Sequence, residues 1–131
     1  MDLLDVWQQI REDLPESEDE EAVEVYGNPL DEGTLAFAER LIRGYGEQQS
    51  RVNDLLEGVL EGWSFPQMAQ TDLNVLRVAV TEHLIDPATP GPVIIEMAVR
   101  IAKKFGGEES GRFVNGVLAR YWRLDSPAPQ G

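Results

Sequence analysis

Apolar residues return at helical intervals along most of this chain. Val52, Leu55, Leu56, Val59, Leu60 and Trp63 fall at i, i+3, i+4, i+7, i+8 and i+11, the stripe of an amphipathic helix facing a core. Before it, Phe37, Leu41 and Tyr45 mark one face of a helix from about residue 35 to 47. After it, Leu73, Leu76, Val80 and Leu84 line another face, with Thr71 or Asp72 suited to cap its start. The next segment opens with Pro92, which a first helical turn tolerates, and carries Ile94, Ala98, Ile101 and Phe105 at steps of four, three and four. A final helix is expected to bury Phe113, Val114, Val117, Leu118 and Tyr121. No segment alternates with the period of a strand, so the expected fold is all-α, with short connections between antiparallel neighbours.

The stretch AKKFGGEESGRFVNGVL, residues 102–118, interrupts this pattern. Gly106 and Gly107 supply a left-handed residue that closes one helix. Glu108, Glu109 and Ser110 place negative charge and a capping hydroxyl at the positive start of the next, while Lys103 and Lys104 occupy the last turn before the glycines, where the dipole favours cations. Asn115 and Gly116 are poor helix formers set in a helix middle. A small residue there permits close helix approach, and an amide there needs a partner.

Charge divides the chain unevenly. The net charge is −13 over 131 residues, yet residues 1–35 hold twelve acids and one arginine, whereas the remainder is nearly balanced. Residues 15–33 read as a mobile acidic loop, because like charges with Pro and Gly punctuation repel one another and bury little apolar surface. With 42% hydrophobic content, one domain with its own core is expected, divided as 1–34 (a remnant of a first helix plus the acidic loop), 35–124 (the helical domain) and 125–131 (a disordered tail). The absence of cysteine removes disulfides and thiolate metal sites, and one histidine, His83, makes no metal cluster. Neither a basic n-region with an apolar core nor a run of about 20 apolar residues occurs, so a cytoplasmic protein without membrane anchor is expected. No nucleophile with a base, phosphate-cradling loop or metal spacing is present, so neither enzymatic activity nor a cofactor is expected.

Residues 102–118 resemble the C-terminal signature of the NusB family, where a helix ending A-K-x-F-G leads into one reading F-V-N-G-V-L. WSFPQMAQTDLNVLRVAVTEHL resembles the preceding family segment through Trp63, Asp72, Leu76, Arg77, Ala79 and Glu82, and FAERLIRGY an earlier helix through Phe37, Leu41 and Gly44. The matches run in order over about residues 35–123. The resemblance implies a NusB-like helical bundle of two small subdomains that binds boxA, a single-stranded RNA element, together with NusE, a ribosomal small-subunit protein. That complex helps the RNA polymerase elongation complex pass terminators, especially in rRNA transcription. A similar domain stands at the N-terminus of certain rRNA cytosine methyltransferases.

Departures from the family pattern matter too. Family members open with an arginine-rich first helix ending close to A-L-Q-x-L-Y-Q-x-D-L, and Met1, Asp2 and Leu3 resemble the tail of that pattern, so the first helix is expected to be missing or truncated. The family's I-N-E-A is here Ile95, Glu96, Met97 and Ala98, and a common tyrosine before the glutamate is Thr81. A missing helix would expose an apolar groove, so homodimerisation or poor solubility is expected.

The candidate RNA-binding residues are Lys103, Lys104, Arg112, Phe113, Asn115 and Arg120, with Asp72 and Glu109 as candidate partner contacts. The cations would neutralise phosphates and Phe113 would stack a base, against the plainer reading of helix-end charges and a core phenylalanine. Asn115 either touches RNA or bridges two helices, and Arg77 is expected to pair with Glu82 or a C-terminal acid. His83 reads as a core or edge histidine, and Trp7, Trp63 and Trp122 as core or partly buried anchors. The alternative function is a NusB-type protein-interaction module with little RNA affinity.

Overall fold

The computed structural model describes residues 31–60, 62 and 64–124, and in the leading segment only Asp5, Gln8, Gln9 and Glu12, which have helical backbone. Apart from those four residues, the expected first-helix remnant and the acidic loop up to residue 30 lie outside the described residues, as do Trp7, Trp63 and the tail 125–131. Among the described residues there is no strand: α1 (Glu32–Val59), a 3-10 turn (Phe65–Gln67), α2 (Gln70–Ile85) and α3 (Gly91–Leu124) account for the regular structure.

Helix α1 begins earlier than the acidic loop was expected to end. The Thr34 N–H donates to Asp31 Oδ1 at 2.7 Å, satisfying one of the free donors of a first turn. That bond holds the Asp31 carboxyl below its ordinary value. The two helices expected over 35–47 and from 52 onward are one continuous helix, because Glu47, Gln48, Gln49, Ser50 and Arg51 between them include neither a proline nor a glycine. Two compact units, 1–47 and 48–131, divide within it. In the first, Gly44 is buried, Phe37, Leu41 and Ile42 are half-buried, and Arg43 pairs with Glu39 one turn back at 3.1 Å.

The second unit holds the larger core. Val52, Leu56, Val59 and Leu60 of the α1 stripe and its continuation are buried, as are Leu73, Leu76 and Val80 of α2. Thr71 and Asp72 do not cap α2; its N-cap is Ala69, and Asp72 lies in the first turn, 8% exposed. Arg77, expected to pair with Glu82 or a C-terminal acid, also bridges elements through an amide and a ring. Its Nε donates to Asn53 Oδ1 at 3.0 Å and its guanidinium lies 5.3 Å from the centre of the Phe65 ring, tying α2 to α1 and to the 3-10 turn. Thr81 is fully buried and its hydroxyl donates to the Arg77 carbonyl at 2.7 Å, one turn back along the helix.

Helix α3 is two arms, 91–106 and 108–124, joined at Gly107, whose φ of 85° and ψ of −175° are not helical. Gly107 alone supplies the expected positive φ there, and Gly106 stays in the first arm. The arms fold back on each other. A β-carbon at Gly111 would stand 2.5 Å from Lys103 Cγ, and one at Gly91 would stand 2.5 Å from Trp122 Nε1, so both ends of the hairpin are in contact. Ile94, Ala98 and Ala102 form the buried row of the first arm, and Val114, Leu118 and Tyr121 that of the second. Ile101 and Phe105 are exposed rather than core; the buried row ends at Ala102, and Phe105 lies past it, two residues before the kink. Phe113 and Val117 are half-buried.

Candidate nucleic-acid interface

The kink at Gly107 gathers most of the candidate residues. Lys103 lays its aliphatic stem over Gly111 and brings Nζ to 3.8 Å from Glu108 Oε2, a loose and solvent-exposed pair. Lys104 follows on the outside of the same turn, with Nζ 5.7 Å from the centre of the Phe105 ring. Phe105 itself is 68% exposed, so a cation and an open aromatic face stand side by side at the end of the first arm. Glu109 and Arg112 are exposed at the start of the second arm.

Asp72 reaches the same place from α2. Its Oδ1 would lie 3.6 Å from a β-carbon at Gly106 and is buried without a hydrogen-bond partner in the structure. A buried carboxylate oxygen in that condition favours an incoming donor. Ser110, expected as a cap, lays its side chain against Gly106 so closely that a β-carbon there would overlap its hydroxyl.

Asn115 is exposed and therefore does not serve as a buried bridge between helices. It lines an open groove of about 510 Å³ between the two arms, together with Lys103, Arg100, Glu96 and the aliphatic side chains of Pro92, Ile95 and Val99. Gly116 is also exposed, and a β-carbon there would meet nothing within 4 Å, so close helix approach is not its role. Two expected residues stand apart from the cluster. Phe113 is half-buried, and Arg120 is half-buried and about 12 Å further along the second arm than Arg112 by helical rise.

Sequence reasoning missed Phe105, which it assigned to the core. The available signal was Lys104 beside it and the glycine pair immediately after it, which together mark a helix end rather than its packed middle. A second exposed apolar surface also emerges. Val78, Met97 and Ile101 line a groove of about 290 Å³ between α2 and the first arm, with Glu82 at its edge. Burial raises the Glu82 carboxyl above its ordinary value, and the charge of Asp86 pushes the same way.

His83 completes the picture away from the kink. Its Nδ1 lies 2.6 Å from the Tyr121 hydroxyl, and its ring stands edge-on to Tyr121 and tilted against Trp122. Burial lowers the imidazole below its ordinary value, and the cation of Arg51 adds to the effect. His83 is thus half-buried at the edge of the core, in keeping with the expectation of a core or edge histidine.

An all-α chain with a glycine-kinked helical hairpin, cations and an exposed aromatic at the kink, and an acidic residue reaching it from a neighbouring helix is the arrangement found here. The chain belongs to the NusB family, whose profile matches residues 1–123. It is 56% identical over 100 residues to the transcription antitermination protein NusB of Thermus thermophilus, an alignment covering 76% of this chain and 66% of the relative. It is 57% identical over 90 residues to NusB of Deinococcus deserti, covering 69% and 53%. The chain thus spans just under two thirds, or less, of these relatives' lengths. The solved structure of T. maritima NusB superposes with a TM-score of 0.69 at 41% identity, covering 74% of this chain and 68% of that one.

Proposed function

We propose that this chain acts as a cytoplasmic, non-enzymatic antitermination factor of the NusB type. It binds boxA-type single-stranded RNA together with NusE and delivers both to the RNA polymerase elongation complex during rRNA transcription. The observation that carries the reading is the exposed Phe105 with Lys104 against its ring, next to Lys103, at a kink that Gly107 creates. Single-stranded RNA is bound by aromatic faces that stack splayed bases and by cations that follow the backbone. Lys103, Lys104 and Arg112 supply the cations, and Phe105 takes the stacking role first assigned to Phe113.

The protein partner meets the acids. Asp72, with a buried oxygen open to a donor, and the exposed Glu109 suit a basic surface such as that of a ribosomal protein. The apolar groove at Val78, Met97 and Ile101 offers adjoining area, for which a second copy of this chain would compete. A net charge of −13 favours the second reading, a module that holds a protein partner and leaves RNA affinity largely to it.

Gel-shift titration of a boxA-type oligonucleotide with the chain, with NusE, and with both separates these readings. Cooperative binding by the pair, weakened about tenfold by Phe105→Ala or by the Lys103→Ala, Lys104→Ala double variant, is expected. Binding by NusE that the chain does not change would overturn the RNA reading, and a complex with NusE alone would establish the second one.

A further inference from the structure

Resting on the RNA-binding reading above, we propose that the groove between the two arms of α3 receives a single unstacked nucleotide of the bound RNA, whose base edge is read by Asn115. The groove is distinct from the exposed apolar surface, since none of Met97, Ile101 and Phe105 lines it. Its volume, about 510 Å³, falls in the range of roughly 300–1,000 Å³ typical of small-ligand pockets.

The lining is divided by chemistry. Pro92, Ile95 and Val99 give an aliphatic wall against which the flat face of a base can lie. Across it, Asn115 projects an amide, which offers a donor and an acceptor side by side, the pattern that pairs with a base edge. An exposed asparagine in mid-helix costs helix propensity and contributes no core packing, and its amide stands open to a ligand in the groove.

Cations stand at the same rim. Lys103 is held over Gly111 so that its ammonium faces the groove end, and its contact with Glu108, at 3.8 Å, is long enough to be exchanged for a phosphate. Arg100 pairs with Glu96 at 2.9 Å, with both side chains mostly exposed, which keeps one acid neutralised beside the site. An aliphatic wall, an amide and a cation in one groove match a base joined to a phosphate. A simple anion would use only the cation.

The test measures affinity of the chain with NusE for a boxA-type oligonucleotide and for its single-base substitutions, in the unaltered protein, Asn115→Ala and Val99→Trp. Asn115→Ala replaces a poor helix former with the best one, so its fold is retained, and circular dichroism verifies this. We expect the unaltered protein to discriminate about tenfold at one nucleotide position, Asn115→Ala to lose that discrimination while still binding, and Val99→Trp, which fills the groove, to weaken binding about tenfold. If RNA binds and neither variant changes discrimination or affinity, the pocket is overturned while the RNA reading survives. If the variants instead weaken NusE binding in the absence of RNA, the groove is a protein contact. If the unaltered pair binds no RNA better than NusE alone, both readings fail together.

Discussion

At Gly107 the backbone occupies φ 85° and ψ −175°, a region open almost only to glycine. A β-carbon there would meet open space, so the barrier to substitution is conformational and not steric crowding by neighbours. Gly107→Ala is expected to lower stability by about 1–3 kcal/mol, read as a reduced denaturant midpoint, and to loosen the geometry of Lys103 and Phe105 with it. His83 predicts a pH dependence. Its folded imidazole titrates below the ordinary 6.5, so as pH falls through that value the unfolded chain takes up a proton first. Stability is therefore full above about 6.5 and declines below it, until the folded ring also protonates. His83→Gln should flatten that part of a Tm-against-pH curve; an unchanged slope would show that His83 is not its source.

Among the elements, the glycines of α3 make opposite predictions. A β-carbon at Gly91 would stand 2.5–2.9 Å from three indole atoms of Trp122, a rigid neighbour, so Gly91→Ala should force the hairpin ends apart and lower Tm. At Gly116 nothing lies within 4 Å, and Gly116→Ala should raise stability by roughly 0.5–1 kcal/mol through helix propensity alone. Thermal melts of the two variants check both signs. The apolar stripes Val52, Leu56, Val59 and Leu73, Leu76, Val80 were legible because three- and four-residue steps keep residues on one helix face. The kink was legible from the paired glycines. The placement of Phe105 was not, since it falls on the helix face of Ala98 and only its position two residues before the Gly107 kink sets it apart from the buried row that ends at Ala102. The union of two expected helices into α1 was not legible either, because residues 46–51 carry no apolar side chain to continue the stripe. Nor does sequence spacing reveal that Arg77 meets Asn53, or that Asn115 shares a groove with Lys103. Those pairings depend on how elements rotate about turns such as Gly107.

For the whole molecule, charge sets the scale of RNA affinity. Ten of the eleven basic residues lie beyond residue 35, but twelve acids lie before it, and this leader repels a polyanion. Lys103, Lys104 and Arg112, with the more distant Arg120, leave room for three or four phosphate contacts. Binding should therefore be weak and salt-sensitive, with a log–log slope of about −2 to −3 at roughly −0.7 per neutralised phosphate on a single strand. Glu82 bears on the same scale from the protein side. Its raised carboxyl pKa means that ionisation costs the fold stability as pH climbs past the ordinary 4.5, so Glu82→Gln should raise Tm at neutral pH and lose that advantage in acid. The decisive experiment is a salt titration of boxA-type RNA binding by the chain with NusE, comparing the unaltered protein with the Lys103→Ala, Lys104→Ala double variant. The kink cluster predicts a slope about 1.4 units shallower in the variant, two phosphates fewer. An identical slope and affinity would place the RNA elsewhere on the molecule.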